Sequence, residues 1–297
     1  MNEIWGVLAA VASSALGGTS VAATRYVVGA CDPLVLGAFR FGIGFILLLP
    51  IALLRGDQPP PVGDWLGVAG LGLLFFGLFP VLFNASLLFT TSARGALALS
   101  TLPLLTMIAG ALLRVEPLSS RKTIGVLLAT CGVAIALVSD LATAPAGAWR
   151  GDLLMVGAAL CMALYNVWSR PFIRRSGAIP FTLMGMAAGS CALIALSLAR
   201  GGFAPVMHFG TPQWLAIGYL GLFGSAITFF LWAFALAHTT PTRVAISVTV
   251  NPVMASIVGA MLLAEPIRWN LAVGLATVFA GIWIATTAGR PLAAAAR

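Results

Sequence analysis

Carboxylates placed inside a membrane segment carry protons or sodium ions, so the acidic side chains are the first candidates for chemistry. Glu3, Asp32, Asp57, Asp64, Glu116, Asp140, Asp152 and Glu265 all fall at the ends of apolar runs or between them. None sits in the middle of a run. That favours facilitated diffusion over ion coupling and disfavours a pocket for large cations. Metal-ligand spacing is also missing. Cys31, Cys131, Cys161 and Cys191 form no CxxC, and His208 and His238 stand alone. No metal, no cofactor and no enzymatic reaction is expected. One cation does lie inside an apolar run: Arg40, seven positions after Pro33 (40 − 33) and therefore ~10 Å deep. Two readings of it stand. It is a counter-charge for a substrate carboxylate, or it snorkels or ties helix-end carbonyls.

A second group could bind rather than react. Phe79, Phe83, Asn84, Tyr165, Asn166, Trp168, Thr228, Trp232, Ser247 and Asn251 combine apolar walls with a few polar anchors, the composition of a small-molecule pocket. Phe79 and Phe83 are one helical turn apart, and Ser247 and Asn251 follow Arg243 at spacing four. Pro103 and Pro252 sit mid-run. Each removes an amide donor and crowds the carbonyl four residues earlier, at Leu99 and Val248. Backbone polar groups freed at the midplane are groups a substrate could use. Each aromatic or proline taken alone also fits plain packing or a plain kink. Ser13, Gly17, Ser20 and Thr24 form a small-residue stripe, and Gly185 and Gly189 a GxxxG pair. Close helix packing explains both.

The elements that carry these residues follow from composition. Hydrophobic residues make up 60% of the 297 positions and charged residues 8%, against roughly 25% charged in an average soluble protein. Lipid must cover most of the surface. The punctuation by charges, prolines and glycines predicts ten apolar helices: 4–28, 34–54, 65–90, 94–114, 122–139, 152–173, 179–199, 213–238, 242–263 and 269–288. The fold class is therefore all-α integral membrane. The start of the chain lacks a basic n-region and reads as a retained first span. The formal charge of +8 does not suggest nucleic acid, because no basic run exceeds two residues. Instead the basic residues sort by side. Ten share the face of the termini, five the opposite face, and Arg40 completes the 16. That bias places both termini in the cytoplasm.

The clearest pattern is self-similarity at an offset of 149 residues. Segment 102–136 lies over 251–285 without a gap, pairing Pro103 with Pro252, Gly110 with Gly259, Glu116 with Glu265 and Pro117 with Pro266. Arg94 pairs with Arg243 and Trp65 with Trp214. The chain reads as two five-helix repeats, 1–144 and 150–290. Five is odd, so the second copy enters the membrane from the opposite side. Glu116 and Glu265 should then lie at opposite faces. Inverted repeats give two near-equivalent arrangements, one open to each side. A duplication with no mechanistic role would leave the same pattern.

These residues also carry a resemblance. Val35-Leu36-Gly37-Ala38-Phe39-Arg40-Phe41, Thr91-Ser92-Ala93-Arg94-Gly95-Ala96 and Pro103 with Glu116-Pro117 resemble motifs of EamA-type permeases of the drug/metabolite transporter superfamily. Thr240-Pro241-Thr242-Arg243-Val244-Ala245 and Pro252 with Glu265-Pro266 repeat the pattern. The resemblance implies ten helices around a central cavity lined by the first four helices of each half. It implies transport of small metabolites, often amino-acid export, and the chain is more narrowly similar to aromatic amino-acid exporters of the YddG type. The expected protein is a bacterial-type inner-membrane carrier whose partners are its small-molecule substrate and the lipid bilayer, with no nucleic acid and no obligatory protein partner. A proton-antiporting multidrug exporter of the same fold is the alternative. A channel would need a continuous polar ring, which no span supplies.

Overall fold

The computed structural model describes residues 2–115, 120–139 and 146–266, with isolated positions from 269 to 280. Among them, eight helical stretches are long and apolar enough to cross a membrane. They are α1 (Glu3–Val28), α2 (Pro33–Arg55), α3 (Val62–Ser86), α4 (Ser92–Leu112), α6 (Ala148–Trp168), α7 (Ala178–Ala199), α8 (Thr211–His238) and α9 (Pro241–Leu263). Between the halves runs α5 (Ser120–Ser139), packed on α4. Apart from those isolated positions, the expected tenth span, 269–288, lies outside the described residues, as does Glu116. Helix is the form that satisfies every backbone group within one segment in lipid, which is why these apolar runs adopt it.

Local chemistry sets the ends. The Asp32 carboxylate accepts from the Leu34 amide, Pro33 opens α2, and Gly56 closes it at φ 67°. Thr91 caps α4 through the Arg94 amide, and Thr240 caps α9 through the Arg243 amide. These caps are repeat mates, 149 residues apart. The expected span over 152–173 is cut instead at Ser169, with a short helix Arg170–Ser176 following because Pro171 fits a helix's first turn but not its interior.

Four helices are interrupted near their centres. In α3 the turn Leu73–Leu78 is π-helical, and in α8 so is Leu222–Ile227, its mate at 149. In α4 the helix ends at Leu99 and resumes at Leu102. In α9 it ends at Ser247, passes through a 3₁₀ turn at Val248–Val250 and resumes at Asn251. The breaks fall at the carbonyls that Pro103 and Pro252 crowd.

The two halves pack by exchange. Helix α1 lies on α8 and α9 as α6 lies on α3 and α4, while α2 meets α7 and α4 meets α9. Directions follow from the contacts. Gly6 faces His238 and Ser13 donates to the Thr228 carbonyl, so α1 and α8 are antiparallel. Ser86 touches Met155 while Phe75 stacks on Tyr165, so α3 and α6 are antiparallel. Since α3 runs with α1, the first helix of the second half runs opposite to that of the first. The repeats are inverted.

Close backbone approach holds α3 against α7. A Cβ on Gly72 would lie 2.6 Å from the Gly185 carbonyl oxygen, and one on Gly189 would lie 2.5 Å from the Phe76 carbonyl carbon. Gly189→Val should therefore force the helices apart and cost ~1–3 kcal/mol, the usual range for overpacking. The thermal midpoint of the purified protein in detergent should fall by several degrees. An unchanged midpoint would contradict this interface.

Candidate functional site

Interrupted helices leave carbonyls that need donors. The α8 π turn finds two. Arg40 on α2 donates from Nε and Nη2 to the Gly224 carbonyl, at 3.1 and 2.6 Å. The Thr228 hydroxyl donates to the Phe223 carbonyl at 2.6 Å. The Arg40 guanidinium also lies 5.4 to 5.9 Å from the ring centroids of Phe41, Phe83 and Phe229, a stabilising environment for a desolvated cation. The guanidinium thus ties a backbone carbonyl, in keeping with one of its two expected readings. Arg40's mate at 149 is Gly189, so the first half supports its π turn differently, by backbone contact rather than by a side chain.

Around this point the aromatic side chains form a packed cluster of α2, α3, α6 and α8. Phe75 stacks on Tyr165 at 4.0 Å and meets Phe229 edge-on at 5.2 Å. Phe79 stacks on Phe83 at 5.5 Å, and Phe75 joins the two groups through Phe79 at 5.0 Å. On the same two helices, α6 and α8, the buried Asn166 accepts from the Trp232 indole at 2.9 Å, leaving its own Nδ2 without a partner. Asn84 donates to the Pro33 carbonyl at 2.9 Å and keeps a buried, unpartnered Oδ1.

The expected polar stripe on α9 forms a separate seam with α1. Ser247 is 2.7 Å from Ser14, and its one hydroxyl hydrogen is within bonding distance of the Val244 carbonyl at 2.7 Å and the Ala10 carbonyl at 3.0 Å. Asn251 packs its amide against Gly17, with Oδ1 buried and unpartnered. A groove of about 580 Å³ runs between α1 and α9 from Glu3 and Arg243 to Ser247, Thr249 and Val250, so it reaches the α9 interruption from the face where α1 begins. Pro103 and Pro252 are buried just after their breaks. Trp168 does not join either group. It ends α6 with 42% of its surface exposed.

Sequence reasoning missed two features. The π turns carry no distinctive residue pattern. The ion pairs at the helix ends were legible in part: Arg94 binds Asp152 and Arg243 binds Glu3, and both members of each pair are mates at 149. Aligning the acids as the arginines were aligned would have found them. Cys31, in the α1–α2 connection, has its thiol pushed up to about 12 by burial and by Asp32. It stays protonated at physiological pH and is a packing residue.

Inverted halves, helices broken at matching depths and a groove reaching one break define a membrane transporter built on an inverted repeat. The chain belongs to the EamA-like transporter family, whose model matches residues 4–138 and 149–287. It is 28% identical over 276 residues to the "Uncharacterized inner membrane transporter YedA" of Escherichia coli strain K12, covering 90% of this chain and 86% of that protein. It is 24% identical over 268 residues to the "Uncharacterized transporter YyaM" of Bacillus subtilis strain 168, covering 88% and 87%. A solved crystal structure superposes with a TM-score of 0.75 at 24% identity, covering 98% of this chain and 99% of that one, and shows the same fold.

Replacing Arg40 removes two charge-assisted bonds to a buried carbonyl. Arg40→Met should lower stability by ~1.5–3 kcal/mol and reduce transport of all substrates in equal proportion. Thermal unfolding and a substrate panel check this. Loss confined to carboxylate-bearing substrates, at unchanged stability, would instead assign the counter-charge role.

Proposed function

We propose that the protein exports amino acids, aromatic ones included, or similar small neutral metabolites by alternating access, as facilitated diffusion. The observation that supports this most is the pairing of inverted halves with interruptions at matching positions, at Leu99–Leu102 and at Val248–Val250. Exchanging the conformations of the two halves would open the opposite face, which is how inverted repeats alternate. The proposed units are the repeats 1–144 and 150–290. The proposed site lies among Phe79, Phe83, Asn84, Tyr165, Asn166, Thr228, Trp232, Ser247 and Asn251, with Pro103 and Pro252 keeping the breaks. By the basic-residue bias, and by the relative described as an inner-membrane protein, the chain would sit in an inner membrane with its termini in the cytoplasm. Glu3, Asp32, Asp57, Asp64, Asp152 and Glu265, the acids among the described residues, all lie at helix ends or between helices. That supports uniport over proton antiport.

Two measurements test the reading. In proteoliposomes loaded with labelled phenylalanine, efflux should run down the gradient and stop at equilibrium, with or without an imposed pH difference. Accumulation above equilibrium driven by protons would instead establish the antiporter. Second, Trp232→Ala should lower the ratio of phenylalanine to threonine transport several-fold, since an aromatic contact contributes ~0.5–1.5 kcal/mol beyond burial. Asn251→Ala should weaken both substrates alike. Equal losses in Trp232→Ala would make Trp232 a packing residue and remove the aromatic pocket.

A further inference from the structure

An asparagine side chain has a donor end and an acceptor end, and its neighbours decide which end is left over. The Trp232 indole N–H can only donate, so the atom of Asn166 that it meets at 2.9 Å must be the oxygen Oδ1. That fixes the amide and leaves Nδ2 as the free end, a donor. Both side chains are buried, and Nδ2 has no hydrogen-bond partner among the described residues. Asn84 shows the opposite choice. The Pro33 carbonyl only accepts, so Asn84 gives it Nδ2 and keeps Oδ1 free. Of the two amides oriented in this way, Asn166 presents the donor.

The repeat supplies a second observation. The mate of Asn166, 149 positions earlier, is Gly17. There the amide comes from the opposing helix, since both end atoms of Asn251 lie 3.4 Å from where a Cβ on Gly17 would stand. The mate of Asn251 is Leu102, on the segment of α4 that packs against α6. Each crossing, α1 with α9 and α6 with α4, thus carries one amide, supplied by opposite members of the pair. Copying by duplication does not produce that arrangement, and a close helix crossing needs only small residues. The partner of a fixed, buried N–H is an oxygen acceptor. A carboxylate gains most there, because hydrogen bonds to a charged acceptor are the stronger class. The acids among the described residues all lie at helix ends or between helices, so none is placed to repel it. An ammonium group would meet the wrong end of the amide.

We propose that Asn166 recognises the carboxylate of the substrate, donating from Nδ2 to one of its oxygens, and that Trp232 is the positioning residue that keeps the donor end free. This rests on the alternating-access reading above, because the amide is covered here and a substrate reaches it only when α6 and α8 part. Trp232 then has two separable roles. Its ring is an apolar wall, and its N–H holds the Asn166 amide in one orientation. The ligand class is a small carboxylate with an apolar or aromatic side chain, and the amino group is not what Asn166 reads.

The test uses compounds that share a phenyl ring: phenylalanine, phenylpropanoate, which lacks the amino group, and phenethylamine, which lacks the carboxylate. Apparent affinities come from the rise of the thermal midpoint with ligand concentration, measured on purified full-length protein in detergent. The wild type should bind both carboxylates and bind phenethylamine far more weakly. Asn166→Leu matches the amide in size and removes the donor. It should weaken both carboxylates ~tenfold, equivalent to about 1.4 kcal/mol, and leave phenethylamine unchanged. Trp232→Phe keeps a ring and removes the N–H. It should weaken both carboxylates several-fold, raise the KM for phenylalanine in proteoliposomes at unchanged maximal rate, and serve as the test if Asn166→Leu does not fold. Carboxylate affinities unchanged in the folded variants overturn the proposal and assign the Asn166 amide to an ordered water. Equal losses for phenethylamine, or a wild type that binds neither carboxylate, overturn it as well. Binding of phenylpropanoate without phenylalanine, lost in Asn166→Leu, supports the proposal and overturns amino-acid export.

Discussion

In hydrocarbon a backbone carbonyl has no water to turn to, and the structure is organised around that constraint. Four of its described helices are broken near their centres, far from water, where the cost of an unpaired group is highest. Side chains meet the demand locally. Ser100 donates to the Ala96 carbonyl and Thr101 to that of Ala98, around the break in α4. Ser247 and Thr249 donate to the carbonyls of Val244 and Ile246 around the break in α9. The π turn of α8 uses Thr228 and, from another helix, Arg40. A hydroxyl can serve a carbonyl one turn back. Serving Gly224 across to α2 takes a long, forked cation. Arg40 thereby makes the position of α2 depend on the shape of α8, and the aromatic cluster packs against both.

Inversion explains why so much of the molecule occurs twice and so little of it is identical. The caps Thr91 and Thr240, the π turns and the ion pairs all recur at one offset. Where the copies diverge, the divergence has a physical reading. A guanidinium at position 40 reaches a π turn at a distance, while the hydrogen of Gly189 lets the other π turn come into direct contact.

The candidate site was legible in residue types and less so in grouping. Phe79, Phe83, Tyr165 and Trp232 were named from aromatic content and helical spacing, and they are buried. Spacing along one helix cannot say which helix faces it. Hence the hydrogen bond from Trp232 to Asn166 was unread, although both residues had been singled out. Trp168, two residues beyond Asn166, was grouped with it by proximity in sequence. On a helix two residues apart point to different sides, and Trp168 turns outward. Phe41 and Phe75 entered the cluster only through the packing of α2 and α3 on α6 and α8.

The amino-acid sequence by itself determined that the chain is helical and lies in a membrane, because 8% charge cannot cover a soluble surface. It determined the duplication, and through the odd helix number it determined the inversion, since each crossing reverses the direction of the chain. It also placed the breaks in α4 and α9, because a proline's effect on the preceding turn is local and acts wherever the helix sits. The tertiary structure alone decided the partners. Which carbonyl Arg40 serves, which acid meets Arg94, and that Glu265 lands on Ser92 depend on positions up to 184 residues apart being brought within bonding distance. Chain pattern records one helix at a time, whereas those contacts exist only after helices from opposite halves have packed together.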